Sequence, residues 1–305
     1  MNVALFAGQG AQTVGMGKDL FEAYPECAAL FAEADRILGG SLSSTIFNGP
    51  MEELTKTNVC QPAIFVVSAA AYTAFCKENP NAKFDLMAGL SLGEWTALWA
   101  GGAVSFAECV RILEARGRFM QEACEANPSG MVSVLKLAPE AVEAIAAETG
   151  CSVTNYNSAA QIVLGGTHDQ VAAAAAAVSA KGGRAVVLKT AGAYHSSFMA
   201  PAAEKLTEVL AKADIQAPRI PVLSNYTGKI HGDADEIRTS MISQIAHAVR
   251  WTDDMAAMGA AGATAAVEFG PGAVLTGLLK RTLPSVALHN VGTADQAKAV
   301  AAVLA

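Results

Sequence analysis

The pentapeptide Gly-Leu-Ser-Leu-Gly at 89–93 stands between a short apolar run and a helical pattern. It matches G-x-S-x-G, in which a serine occupies the tight turn from a strand into a helix. The flanking glycines permit a strained backbone and close packing, and the serine is pushed out of the sheet at the helix N-terminus. Such a turn needs a buried strand and a covering helix. It therefore constrains the chain to an α/β fold and makes Ser91 a candidate nucleophile.

A plain helix N-cap is the alternative explanation for this serine. Ser91 and Glu94 also have the spacing of a capping box, in which the two residues satisfy free amides at the start of a helix. The strand–turn–helix context favours the nucleophile.

Apolar runs that stop at loops alternate with helical patterns over most of the chain. Strands are predicted at 3–6, 86–90, 220–223 and 265–269, and helices at about 26–38, 62–77, 92–99, 105–126, 197–212 and 236–247, with a last helical pattern after 272. This alternation implies a mainly parallel sheet that is covered on both faces.

The order of predicted strands and helices changes between about 130 and 190. Strands are predicted at 131–137, 152–156, 161–164 and 184–189, and helices at 139–149 and 170–180. The resulting order β-α-β-β-α-β is that of a ferredoxin-like unit. We therefore expect a larger α/β domain made of 1–128 and 192–305, with a small ferredoxin-like domain inserted at 129–191.

Composition excludes several classes of protein. With 52% hydrophobic and only 16% charged residues, the chain can bury a large core and is not disordered. The net charge of −7 argues against a nucleic acid or an acidic membrane held by bulk charge. We find neither an apolar run of about 18 residues, as a membrane span requires, nor the features of a signal peptide.

The six cysteines are scattered along the chain. They form no C-x-x-C pair and no cluster with histidine at the spacing of a metal site. We expect reduced thiols in a cytoplasmic protein, and no metal.

A nucleophilic serine needs a base, and five histidines are available. His195 lies in a loop where the chain re-enters the larger domain, and such loops gather at the carboxyl edge of a parallel sheet. For His168 and His231 a solvated loop position is the better interpretation.

The glycine loop 8–12 fits neither nucleotide-binding pattern, because the required glycines and hydroxyl are missing. Its amides could instead form half of an oxyanion hole, with the amide of Leu92 as the other half. A plain glycine turn remains the alternative.

Several stretches, taken together and in order, resemble the malonyl-CoA:acyl carrier protein transacylases. They are Gly8–Gln12, Gly89–Glu94, Arg116 within 114–118, Asn157–Val163, Gly192–Ser196, Val249–Trp251 and Glu268–Leu275. The resemblance covers essentially the whole chain. It implies a hydrolase-like α/β domain that carries a ferredoxin-like insert, in agreement with the order of elements above.

The resemblance also implies roles for individual residues. Ser91 would be the acylated nucleophile and His195 its base. The amides of Gln9 and Leu92 would bind the oxyanion. Arg116 would hold the free carboxylate of the malonyl group.

Other positions follow from the same resemblance. A backbone carbonyl near Arg250 would orient His195, in place of a carboxylate. The aromatic ring of Tyr194 would crowd an α-methyl group and so select malonyl over methylmalonyl. Asn157 and Gln161 would support the site.

One position departs from the family pattern. Many members have histidine just before the nucleophile, where this chain has Leu90. That histidine is not the base, so the implied mechanism does not depend on it.

The implied activity is malonyl transfer from malonyl-CoA to the phosphopantetheine thiol of an acyl carrier protein, through a malonyl-serine ester. We expect no cofactor, since malonyl-CoA is a substrate, and a monomer without nucleic-acid or membrane partners. A serine hydrolase that uses the same Ser–His pair is one alternative. A non-catalytic subunit that only binds the carrier protein or CoA is another.

Overall fold

The computed structural model of the protein describes residues 1–303. The strands are β1 Asn2–Phe6, β2 Leu86–Gly89, β3 Gly130–Leu135, β4 Ser152–Ser158, β5 Gln161–Gly166, β6 Arg184–Val187, β7 Ala265–Phe269 and β8 Ala287–Val291. The helices are α1 Lys18–Ala23, α2 Pro25–Leu38, α3 Leu42–Asn48, α4 Met51–Thr55, α5 Thr57–Glu78, α6 Leu92–Ala100, α7 Phe106–Ala126, α8 Pro139–Thr149, α9 His168–Ala180, α10 Ala200–Leu210, α11 Ala234–Ala246, α12 Trp251–Ala260, α13 Val274–Thr282 and α14 Ala294–Val303.

A four-stranded sheet of order β2-β1-β7-β8 forms the centre of the larger part of the chain, and every pair in it is parallel. Phe6 pairs with both Gly89 and Phe269, so β1, β2 and β7 end at one edge. These three strands are buried along almost their whole length, because helices cover both faces of the sheet. The loops that follow them meet at this edge.

The second sheet is antiparallel, with the order β4-β5-β3-β6. Helices α8 and α9 pack on it through a separate apolar cluster that includes Val132, Ile145 and Leu164. The predicted β-α-β-β-α-β order is confirmed, and the helix predicted at 139–149 has those bounds. The fold class, a mainly parallel α/β sheet with a ferredoxin-like insert, is therefore as expected.

Some elements differ from the sequence prediction. The strand predicted at 220–223 forms only two isolated bridges, Val222 with Met87 and Leu223 with Ile230. The helix predicted at 62–77 begins five residues earlier, at Thr57. The prediction took Pro62 as part of the first turn, whereas Pro62 lies inside the helix. Helices α1, α3, α4, α12 and α14 and strand β8 were not predicted. Most of these elements are short, and tertiary packing rather than a strong apolar period determines them.

Helix α5 is apolar along most of its length and lies in the core. By length and composition it is the one helix among residues 1–303 that could cross a membrane, with a mean hydropathy of 1.6 over its richest window. However, 78% of that window is buried inside the protein. Its apolar side chains therefore contact other helices, chiefly α7, as expected for the central helix of a large core.

Candidate active site

Ser91 occupies the turn between β2 and α6 with a positive φ of 56°. A side chain at Gly89 would lie 2.0 Å from the backbone of Gly93, and one at Gly93 would lie 2.2 Å from the carbonyl oxygen of Phe6. Only glycine fits at both positions, as the pattern predicted. A strained non-glycine residue held by such packing is typical of a functional position.

The N-cap interpretation of this serine is wrong. The Ser91 side chain caps no amide of α6, and Glu94 does not reach back to it. The Ser91 hydroxyl instead lies 2.8 Å from Nε2 of His195. The structure thus pairs the predicted nucleophile with the predicted base.

His195 has a positive φ of 57° and is 5% exposed. Its Nδ1 lies 2.7 Å from the carbonyl oxygen of Gln244. A carbonyl only accepts, so Nδ1 carries the proton, and Nε2 is left with a lone pair toward Ser91. This tautomer can accept the proton of the serine hydroxyl.

The carbonyl that orients His195 was predicted near Arg250, and that prediction is wrong. Gln244, at the end of α11, supplies it. The side chain of Arg250 is exposed and forms a surface ion pair with Asp253. The error arose because the loop between α11 and α12 separates the two positions, and sequence spacing does not reveal which carbonyl points inward.

Arg116 is 1% exposed and lies beside the nucleophile. Its Nη2 donates to Ser91 Oγ at 3.1 Å and to Gln244 Oε1 at 2.9 Å, and its Nη1 donates to Gln61 Oε1 at 2.5 Å. Its Nε has no partner among the described residues. Within that part of the chain no carboxylate forms an ion pair with this guanidinium.

The guanidinium remains charged despite its burial. Burial lowers the pKa of Arg116 to about 10, and the negative charge of Glu94 opposes this shift. Burying a cation without a paired anion is energetically costly. A carboxylate matches its planar fork.

The same charge acts on the base. Burial, and then the charge of Arg116, lower the pKa of His195 to about 4, although the hydrogen bond to Gln244 opposes the shift. The imidazole is therefore neutral at physiological pH and ready to accept a proton.

A buried network of hydrogen bonds holds the turn that carries the nucleophile. Glu94 accepts from His231 Nε2 at 2.6 Å, from Gln244 Nε2 at 2.7 Å and from the backbone amide of Asn225 at 3.0 Å. The side chain of Asn225 in turn accepts the amide proton of Ser91 at 2.6 Å. Glu94 thus holds both the residue that orients the base and the residue that holds the serine backbone.

This network has no signal in the sequence, and the solvated loop position predicted for His231 is wrong. This histidine is 7% exposed and bonded to Glu94, not solvated in a turn. Its partner lies 137 residues away, so no local pattern reveals the contact. His168 is exposed, as expected.

Replacing His231 with alanine should lower the free energy of unfolding by about 2–4 kcal/mol. The change opens a cavity and removes one of the three donors to a fully buried carboxylate, although the other two donors remain. Urea denaturation measures the loss. His168→Ala is the control, with an expected change below about 0.5 kcal/mol because that side chain is exposed. Equal stability of both variants would show that the Glu94–His231 contact does not stabilise the fold.

The loop after β1 runs beside the serine turn. A side chain at Gly8 would lie 2.6 Å from the carbonyl oxygen of Leu90, and the amide of Leu90 donates to Phe6 O. Among the hydrogen bonds of the described residues, none uses the amide of Gln9 or of Leu92. The chain therefore has an unpaired donor directly after Ser91 and another on the loop that lines the same cavity as Ser91, and an oxyanion site needs free donors of this kind.

A cavity of about 570 Å³ opens over the pair of Ser91 and His195. Its other lining residues include Gln9, Leu90, Asn155, Asn157, Gln161, Lys189, Tyr194 and Arg281. Asn157 and Gln161 thus border the same cavity as Ser91 and His195, and Asn157 Oδ1 is a buried acceptor without a partner in the described chain. Arg250 is not part of this lining. Among residues 1–303 we find no group of three or more potential metal ligands.

Comparison with known proteins identifies the family. Residues 3–303 match the model of an acyl transferase domain. A malonyl CoA-acyl carrier protein transacylase of Bacillus subtilis (strain 168) is 40% identical over 302 residues, which cover 96% of this chain and 95% of that protein. The chain belongs to the malonyl CoA-acyl carrier protein transacylase family. It is an acyltransferase, as the resemblance implied.

Solved structures of transacylases have the same architecture. The acyl-carrier-protein S-malonyltransferase of Bartonella henselae is similar with a TM-score of 0.95 and 34% identity, over 99% of both chains. A malonyl-transacylase solved in complex with its type II polyketide synthase acyl carrier protein is similar with a TM-score of 0.93 and 35% identity, over 97% of both chains.

Leu90 stands where the resemblance implied a histidine before the nucleophile. Leu90 lines the cavity and packs against an apolar cluster on one face of the parallel sheet. In this chain the position is an apolar wall and makes no polar contact with the Ser–His pair.

Proposed function

We propose that this transacylase moves a malonyl group from malonyl-CoA to the phosphopantetheine thiol of an acyl carrier protein, with Ser91 as the site of the covalent intermediate. One observation carries the proposal. The buried guanidinium of Arg116 has no paired carboxylate in the described chain and lies 3.1 Å from Ser91 Oγ. An acyl group that ends in a carboxylate supplies the missing anion, and the malonyl group is the one in the name of the relatives.

In the first half-reaction the Ser91 oxygen attacks the thioester carbonyl carbon, and His195 Nε2 takes the hydroxyl proton. The amides of Gln9 and Leu92 stabilise the oxyanion of the tetrahedral intermediate. Collapse of this intermediate breaks the carbon–sulfur bond. His195 then returns its proton to the leaving thiolate, which departs as CoA and leaves malonyl-Ser91.

In the second half-reaction the carrier thiol loses its proton to His195 and attacks the serine ester. The carbon–oxygen bond breaks, and His195 gives the proton back to Ser91 Oγ. The carbonyl of Gln244 keeps Nδ1 protonated throughout, so the imidazole can act first as base and then as acid.

A serine hydrolase is the competing candidate, since water could accept the acyl group from the same ester. Incubation with malonyl-CoA and a phosphopantetheinylated acyl carrier protein distinguishes the two. We expect malonyl-carrier protein as the main product by mass spectrometry, with little free malonate. If free malonate forms at the same rate with and without the carrier protein, the chain is a hydrolase.

We further propose that the protein acts without a cofactor, as a monomer in the cytoplasm, and that it binds neither nucleic acid nor membrane. The negative net charge and the six free thiols support this proposal.

The rate of acylation should depend on pH through His195. Its pKa of about 4 means that kcat/KM stays constant from neutral pH down to about 5 and falls below that, because the protonated imidazole cannot accept a proton. Short assays after a jump to each pH, with circular dichroism to confirm folding, measure the midpoint. A midpoint near 6.5, the value of an unperturbed histidine, would contradict the electrostatic role given to burial and Arg116.

A further inference from the structure

Thr57 is a buried hydroxyl that the mechanism above does not use. It is the first residue of α5 and is 1% exposed. Its Oγ1 lies 2.6 Å from the phenol oxygen of Tyr194 and accepts from Gln9 Nε2 at 3.2 Å. One hydroxyl thus joins Tyr194, the residue before the base, to Gln9, whose amide is proposed above to bind the oxyanion.

The backbone of Thr57 is also fixed against the helix that carries Arg116. A side chain at Gly117 would lie 2.5 Å from the carbonyl oxygen of Thr57, so α5 and α7 approach each other closely at this turn. Three parts of the site therefore meet at one residue: the loop after β1, the arginine turn of α7 and the loop that holds His195.

The geometry points to Thr57 as a positioning residue. By holding the ring of Tyr194 in place, it limits the size of the acyl group that the site accepts. This inference rests on the proposed function, because it concerns the acyl group that Ser91 receives. Tyr194 is 8% exposed and lines the cavity next to His195. A ring anchored only by packing could tilt away from a larger acyl group, whereas a ring tied at its phenol end cannot.

The physical basis is the cost of a buried phenol without a partner. Burial raises the pKa of Tyr194 to about 12, so the phenol stays neutral and needs a hydrogen bond. In this site Thr57 provides that bond. Without it, the phenol would turn toward another partner, such as the nearby Gln9 side chain, and the wall of the cavity would move with the ring.

The test compares malonyl-CoA with methylmalonyl-CoA, which differs by one α-methyl group. We expect the wild type to prefer malonyl-CoA, and Thr57→Val to lower the ratio of the two kcat/KM values by roughly tenfold, which corresponds to about 1.4 kcal/mol. Valine keeps the volume of threonine but has no hydroxyl. Thr57→Ser keeps the hydroxyl and should retain the ratio within about twofold, about 0.4 kcal/mol.

Tyr194→Phe removes the same hydrogen bond by deleting the phenol oxygen. It is the variant to measure if Thr57→Val does not fold. It should also lower the ratio, and the double variant should lower it no further than the two single changes do, since both break one contact. An unchanged ratio in Thr57→Val and Tyr194→Phe, or equal loss in Thr57→Val and Thr57→Ser, would overturn the inference.

Failure of the proposed function would look different. If wild-type protein is not acylated on Ser91 by malonyl-CoA, the function is wrong whatever the Thr57 variants do. If it is acylated and the Thr57 variants leave the preference intact, only the role of Thr57 is wrong.

Discussion

Replacing His195 with alanine is expected to slow the acylation of Ser91 by malonyl-CoA by roughly 10²–10⁴-fold. The variant loses the group that lies 2.8 Å from the Ser91 hydroxyl and that the Gln244 carbonyl holds in the accepting tautomer. No other histidine contacts the serine in the described chain. The loss is larger still if the nucleophile and base act as one unit. Rapid-quench measurement of the acyl-enzyme gives the rate constant directly.

The matched control is His247→Ala. His247 is exposed, and its ring is hydrogen-bonded to the carbonyl of Ser243 and packs against the ring of Tyr226. Its replacement should leave acylation within about twofold of wild type, as for other surface changes away from the site. Acylation by His195→Ala at more than about a tenth of the wild-type rate would show that another group accepts the proton.

Replacing Arg116 with alanine should lower kcat/KM for malonyl-CoA by roughly 30- to 4,000-fold. The estimate follows from the about 2–5 kcal/mol that truncating one partner of a buried charge pair costs, at about 1.4 kcal/mol per tenfold. Acetyl-CoA has no carboxylate, so its slow transfer should change far less. The ratio of the two kcat/KM values isolates carboxylate recognition from any general damage to the site.

Arg111→Ala provides the matched control on the same helix. Arg111 is exposed and pairs with Glu108 at the surface, so its loss should affect neither thioester. Arg116→Lys keeps the charge but loses the fork that donates to both Gln61 and Gln244, and should rescue malonyl transfer only in part. Equal losses for malonyl-CoA and acetyl-CoA in Arg116→Ala would make the arginine structural.

The features that sequence analysis predicted well have local signals. The turn at Ser91 follows from two glycines and a serine between a strand and a helix. The ferredoxin-like insert follows from six regular elements in order. The resemblance brought in Arg116, and helix periodicity alone could not have distinguished it from Arg111 and Arg118, which lie on the same helix and are exposed.

The features that it missed depend on contacts between distant parts of the chain. Gln244 reaches Ser91 across 153 residues, and His231 reaches Glu94 across 137. The assignment near Arg250 failed for the same reason, because only the folded loop decides which carbonyl faces His195. The role of the Thr57 hydroxyl likewise depends on a distant contact, because it reaches Tyr194 only when α5 packs against the loop that carries Tyr194.

The most direct test of the central claim is the intact mass of the protein after brief incubation with malonyl-CoA. Wild-type protein should gain the mass of one malonyl group, peptide mapping should locate it on Ser91, and addition of phosphopantetheinylated carrier protein should remove it. Ser91→Ala should gain nothing. An adduct that persists in Ser91→Ala, or that the carrier protein does not discharge, would contradict the account.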